Sequence, residues 1–131
     1  MRDVLGPLLR HRQTAILPFQ YRRLGSASRV LVEACPASTL KQIGLPHQNY
    51  KQPEGGPLTS KRRRTRRAIL DGLAEYVSIS DTHRLVMMRN GGGDARDAVI
   101  AALGGVRAWE GCDHRYISRH HRYPLEGHLY V

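Results

Sequence analysis

Three successive glycines, Gly91-Gly92-Gly93, run directly into Asp94-Ala95-Arg96-Asp97-Ala98-Val99-Ile100-Ala101-Ala102-Leu103. Glycine frees the approach, Asp94 is a helix-capping residue type, and Val99, Ala102, Leu103 and Val106 recur at the three- and four-residue spacing of a buried helical face. A helix starting here carries Asp94 and Asp97 on one side of its first turn, where the dipole and the free backbone N–H groups favour negative charge. Two readings follow. The aspartates are ordinary helix-start residues, or they form a patch that holds a divalent metal. The helix is expected to fade near Ala108-Trp109-Glu110-Gly111.

With 131 residues the chain has room for one domain. Its formal charge is +10, from 21 basic against 11 acidic side chains. Only Lys41, Lys51 and Lys61 are lysines, so arginine carries the excess. A guanidinium presents a rigid donor fork that matches phosphate oxygens, which favours a polyanion partner over acidic-substrate enzymology, although arginine also accumulates through coding bias. Cys35 and Cys112 are the two cysteines, with no CxxC pair, so a disulfide framework is not indicated. Cys112-x-His114 with His120-His121 lacks the two separated ligand pairs of a structural zinc site. No apolar run near the N-terminus is long enough for a signal sequence or a membrane span. A reduced, cytoplasmic setting away from membranes is the expectation.

Residues 1–28 read as an N-terminal extension: a short helix and a loop, broken by Pro7 and Pro18 and ending in Gly25-Ser26-Ala27-Ser28. Val30-Leu31-Val32-Glu33-Ala34 is apolar, β-branched and short, which predicts a buried strand over 29–35. Glu33 is its anomaly, because a buried carboxylate needs a partner, a hydrogen bond or a metal, unless it faces solvent at a strand end. Thr39–Gly44 reads as a one-turn helix closed by glycine. Leu45-Pro46 then opens a polar, mobile loop through Tyr50-Lys51 to Gly55-Gly56-Pro57.

Thr59 or Ser60 can cap the next helix, whose apolar stripe Ile69, Leu70, Leu73, Ala74 and Val77 follows Lys61-Arg62-Arg63-Arg64-Thr65-Arg66-Arg67. Six cations in seven residues cannot all face a core. They are a solvated face or a phosphate-tracking patch, and cations at a helix start oppose its dipole, which invites an anionic partner. Arg62, Arg63, Arg64, Arg66 and Arg67, with Lys51, are the candidate nucleic-acid contacts. Arg84–Met88 fits a strand or a helix equally, and Glu126–Val131 reads as a short terminal strand.

Val32-Glu33-Ala34-Cys35-Pro36-Ala37, Leu45-Pro46 with Tyr50-Lys51, Arg67-Ala68-Ile69-Leu70, the Asp94–Leu103 stretch and Glu126-Gly127 together resemble the predicted RNase H-like nuclease family. The resemblance covers residues 29–131, and Asp94-x-x-Asp97-Ala98 is also similar to the closing motif of RuvC-type resolvases. It implies an α/β fold with a central strand carrying Glu33 and two main helices. It also implies Glu33, Asp94 and Asp97 as catalytic ligands of Mg²⁺ or Mn²⁺ for phosphodiester hydrolysis of DNA or RNA. Carboxylates are the hard oxygen donors these ions take, and two ions about 4 Å apart can activate water and stabilise the leaving oxygen. The family's first strand, with its aspartate, and the hairpin after it have no counterpart before Arg29, so 29–131 reads as the C-terminal part of such a domain. A strand lacking its neighbour exposes an edge, which predicts a homodimer through 29–35 or some other edge-covering contact. Two further readings are a noncatalytic arginine-rich nucleic-acid-binding module and a truncated, inactive remnant.

Overall fold

A computed structural model of the chain describes residues 2–52 and 56–131, apart from the side chains of residues 2–5. The middle of the loop after Lys51, residues 53–55, and the side chain of Asp3, the one carboxylate upstream of Glu33, lie outside the described residues. The chain is α/β, mostly helical with a few short strands, and divides into two compact units: residues 1–33 with 108–130, and residues 34–107 with Val131.

In the first unit, helix α1 (Arg2–Arg10) leads to strand β1 (Thr14–Ile16). A 3-10 turn, Tyr21–Ser26, carries the chain across to strand β2 (Arg29–Leu31), which pairs with β1 in parallel, Thr14 opposite Arg29 and Ile16 opposite Leu31. Two expectations change here. The 1–28 extension contributes a strand as well as a helix. The predicted buried strand over 29–35 is two pieces, β2 and β3 (Glu33–Ala34), with Val30 38% exposed while all of β1 is buried. β1 escapes sequence reading because three residues between Arg12 and Pro18 are too few to show periodicity. It supplies β2 with a neighbour whose absence was the ground for the homodimer expectation. β3 pairs with β4 (Leu129–Tyr130), the short terminal strand that the sequence predicts. Leu17, Ala108, Ile117 and Tyr130 form the core, with Tyr21, Val32, Trp109 and Tyr123 packed on it. Helices α6 (His114–Arg119) and α7 (Tyr123–Glu126) belong to this unit.

The second unit contains helix α2 (Pro36–Gln42), helix α3 (Ser60–Leu73), helix α4 (Asp81–Arg89) and most of helix α5 (Asp94–Gly111). Thr59 caps α3, its hydroxyl accepting from the Arg62 N–H at 3.3 Å. Arg84–Met88 takes the helical alternative because Ser80 caps α4 and Asp81 stands in the first turn. Leu40, Tyr50, Ile69, Leu73 and Ile100 make the core. Tyr50 is the surprise, since an aromatic of the polar loop is buried in this core.

On α5 the buried line in this unit is Arg96, Ile100 and Gly104, at four-residue steps, whereas Ala102 and Val106 of the expected stripe are exposed. The helix turns this line inward because Gly104 lets it approach α2. A Cβ at residue 104 would lie 2.2 Å from Thr39 Oγ1.

Candidate functional site

The seven-residue basic run straddles two faces of α3. Arg62, Arg66, Ile69, Leu70 and Leu73 follow one another at helical spacing, and the last four are buried. Lys61, Arg63, Arg64 and Arg67 point outward and are exposed. The run is therefore a structural arginine set on the inner side and a cationic surface on the outer one.

Arg66 is 0% exposed and acts as a backbone clamp. Its Nε donates to the Tyr50 carbonyl at 2.6 Å, Nη1 to the carbonyls of Met88 (3.0 Å) and Asn90 (2.8 Å), and Nη2 to that of Gly91 (2.7 Å). One guanidinium thus ties the loop of Tyr50, the end of α4 and the first glycine of the triple together. Burial, then the nearby charge of Arg62, lowers its pKa. Arg62 itself donates to the Gln52 side-chain carbonyl. Arg66 is not available to a phosphate without breaking these bonds, whereas Arg62 commits Nη1 alone, its Nε lying buried without a hydrogen-bond partner among the described residues.

The glycine-led helix start is built around Tyr50 and Asp97. The Tyr50 hydroxyl donates to Asp97 Oδ1 at 3.1 Å, and the Lys51 ammonium is ion-paired with Asp97 Oδ2. Gly93 makes the pairing possible, since it is buried with φ at +91° and a Cβ there would stand 3.2 Å from Lys51 Cγ. Gly91 is held through its carbonyl, which accepts from the Gln52 N–H (3.0 Å) as well as from Arg66, while a Cβ there would meet nothing within 4 Å. Of the three glycines, Gly93 is the one that serves close approach. Burial, then the Asp97 charge and hydrogen bond, pushes the Tyr50 hydroxyl up to about 12. Arg96, also 0% exposed, lies with its guanidinium 5.1 Å from the Tyr50 ring centre, and Nη2 donates to the Met87 carbonyl at 3.3 Å. Burial and the neighbouring Arg66 charge lower Arg96 to about 10, against the opposing pull of Asp97 and Tyr50. Among the described residues its Nε and Nη1 have no hydrogen-bond partner, leaving the aromatic face as a further contact.

The sequence-predicted carboxylates are distributed as follows. Asp94 and Asp97 share the first turn of α5, Asp94 exposed and Asp97 with its side chain 19% exposed under Tyr50 and Lys51. Glu33 is exposed in the first unit. Both Asp97 oxygens already have partners, so a cation there has to displace an ammonium group. Among the described residues no group of three or more His, Cys, Asp or Glu side chains stands together as a metal site.

What remains open to a large anion is the outer face of α3. Its one carboxylate, Asp71, is paired with Arg84 at 2.6 Å. Arg63 keeps one donor on the Leu58 carbonyl (3.1 Å), and among the described residues Lys61, Arg63, Arg64 and Arg67 have no carboxylate within ion-pair distance. No described helix is long and apolar enough to cross a membrane. No family model, no curated protein and no solved structure matches the chain, so the likeness to RNase H-like nucleases rests on its sequence motifs.

Proposed function

We propose that the protein binds nucleic acid noncatalytically through the outer face of α3, with Lys61, Arg63, Arg64 and Arg67 contacting the phosphate backbone. The observation that carries this reading is the cluster of exposed cations at the start of a helix, where the dipole opposes them and no carboxylate among the described residues neutralises them. A polyanion relieves both penalties at once. Arginine forks on one helix face suit phosphate oxygens of either DNA or RNA, and they position a backbone without reading its sequence.

Titrating labelled DNA and RNA oligonucleotides by anisotropy at several salt concentrations tests the proposal. Wild type is expected to lose affinity steeply with salt. The triple variant Arg63→Ala, Arg64→Ala, Arg67→Ala is expected to bind about ten- to a hundredfold more weakly, with a log–log salt slope shallower by roughly two to three. An unchanged slope sinks the α3 reading. The same oligonucleotides incubated with Mg²⁺ or Mn²⁺ address the nuclease alternative, for which cleavage must appear in wild type and vanish in Asp97→Asn.

A further inference from the structure

The first unit carries a second cationic surface of different chemistry, built on α6 and the turn after it. Arg115 and Arg119 stand four residues apart on one side of α6, both exposed, and among the described residues neither has a carboxylate within ion-pair distance. Beside them runs a second row, Tyr116 and His120, also four apart, with ring centroids at 5.5 Å and planes crossed at 61°. The row continues through His121, 4.6 Å from His120, and His120 stacks on Tyr123 at 3.7 Å and 18°. Tyr116 is 58% exposed although it is a large aromatic. Asp113 fixes the start of the ridge, its carboxylate accepting from the Tyr116 N–H at 2.8 Å. An open concavity of about 660 Å³ is lined by Asp113, Arg115, Tyr116, Arg119, His120 and His121, so both rows face one space.

Stacked aromatic rings next to unneutralised guanidinium groups match an unpaired nucleotide, which offers a flat π-face and a phosphate a few bonds away. A paired base hides its faces in the duplex stack and offers only its edges and backbone. We infer that this ridge is a single-strand binding site, on which an unpaired base stacks against Tyr116 and His121 while Arg115 and Arg119 hold the adjoining phosphates. The inference takes nucleic acid as the partner class from the α3 reading, but it places on the first unit a contact that α3 does not make. Arg122 is outside the phosphate-binding set because it is paired with Glu126 at 2.6 Å.

The test compares a short single-stranded oligothymidylate, a duplex of the same length and inorganic polyphosphate, which has charge but no bases. Tyr116→Ala is expected to weaken single-strand binding by about five- to a hundredfold, the range of one lost base stack, and to leave duplex and polyphosphate affinity unchanged. Tyr116→Phe, which keeps the ring, is expected to bind as wild type does, and this rescue separates stacking from a fold defect. Equal single-strand affinity in wild type and Tyr116→Ala overturns the ridge, as does equal weakening on all three probes. Loss confined to the α3 variants leaves the α3 reading standing without the ridge; sensitivity confined to Tyr116 does the reverse. Failure of wild type to bind any oligonucleotide removes both.

Discussion

Arg66→Met is expected to lower the stability of the chain by about 3 kcal/mol, the upper part of the usual range for single substitutions. Methionine matches much of the stem and fits an apolar interior, and replacing a buried charge by a hydrophobic residue is often neutral when its partner leaves as well. Here the partners cannot leave. The carbonyls of Tyr50, Met88, Asn90 and Gly91 belong to the backbone, and all four accept from this one guanidinium. Gly91 retains the Gln52 N–H and Asn90 the Gly93 N–H, but the carbonyls of Tyr50 and Met88 lose their charged donor, at about 1 to 3 kcal/mol for each buried acceptor left unmade. The gain from no longer desolvating a guanidinium offsets part of that sum. Arg66→Lys keeps the charge yet cannot span carbonyls on three segments, so an intermediate loss is expected. Arg67→Met, one residue along on the exposed face, should stay within about 0.5 kcal/mol of wild type. Urea unfolding of the four proteins checks this ranking, and coincident midpoints for Arg66→Met and Arg67→Met refute the clamp. The same contrast explains why binding variants must spare Arg66: its removal destabilises the scaffold that presents the outer cations.

How much of this was legible in the sequence depends on whether polarity and geometry agree. The Thr59 cap did, as does the fading of α5 near Gly111, whereas Asp94 stands inside the first turn of α5 instead of capping it. The basic run did not. Its spacing already held the answer, because residues 62, 66, 69, 70 and 73 share a helical face with the apolar stripe. Its charge hid that answer, since arginine is rarely buried and nothing local announces four waiting carbonyls. Arg96 misled in the same way, shifting the buried line of α5 away from Ala102 and Val106. Tyr50 left a weak signal, an aromatic in an otherwise polar loop. The Tyr50–Asp97 bond joins residues 47 apart in sequence, and only the tertiary fold specifies such a pair. The carboxylate triad rests on the resemblance alone: Asp97 stands against Tyr50 and Lys51, while Asp94 and Glu33 are exposed.

Gly104→Ala is the second large effect, and two terms of opposite sign meet in it. Alanine inside a helix gains roughly 1 kcal/mol over glycine from backbone entropy alone. At residue 104 the added Cβ meets Thr39 Oγ1 at 2.2 Å and Thr39 Cβ and Cγ2 at 3.2 Å. Thr39 is buried and its hydroxyl donates to the Cys35 carbonyl at 3.1 Å, so it cannot swing aside without breaking that bond. Overpacking of this kind costs about 1 to 3 kcal/mol, enough to outweigh the propensity gain. A net loss of roughly 1 to 2 kcal/mol is expected for alanine, and a larger one for valine, whose branch deepens the clash. Gly111→Ala, at the end of the same helix with nothing within 4 Å of the new methyl, should instead be neutral or slightly stabilising. The decisive measurement is a double-mutant cycle. Thr39→Ala alone should destabilise through its lost hydrogen bond and the space it leaves, but in the Gly104→Ala background it removes the clashing Oγ1 and Cγ2. The double variant is therefore expected to be more stable than the sum of the singles allows, by about 1 kcal/mol or more, as residues in direct contact couple. Strict additivity would mean that α5 and α2 do not meet at this glycine, and the inward turn of the Arg96–Ile100–Gly104 line would lose its cause.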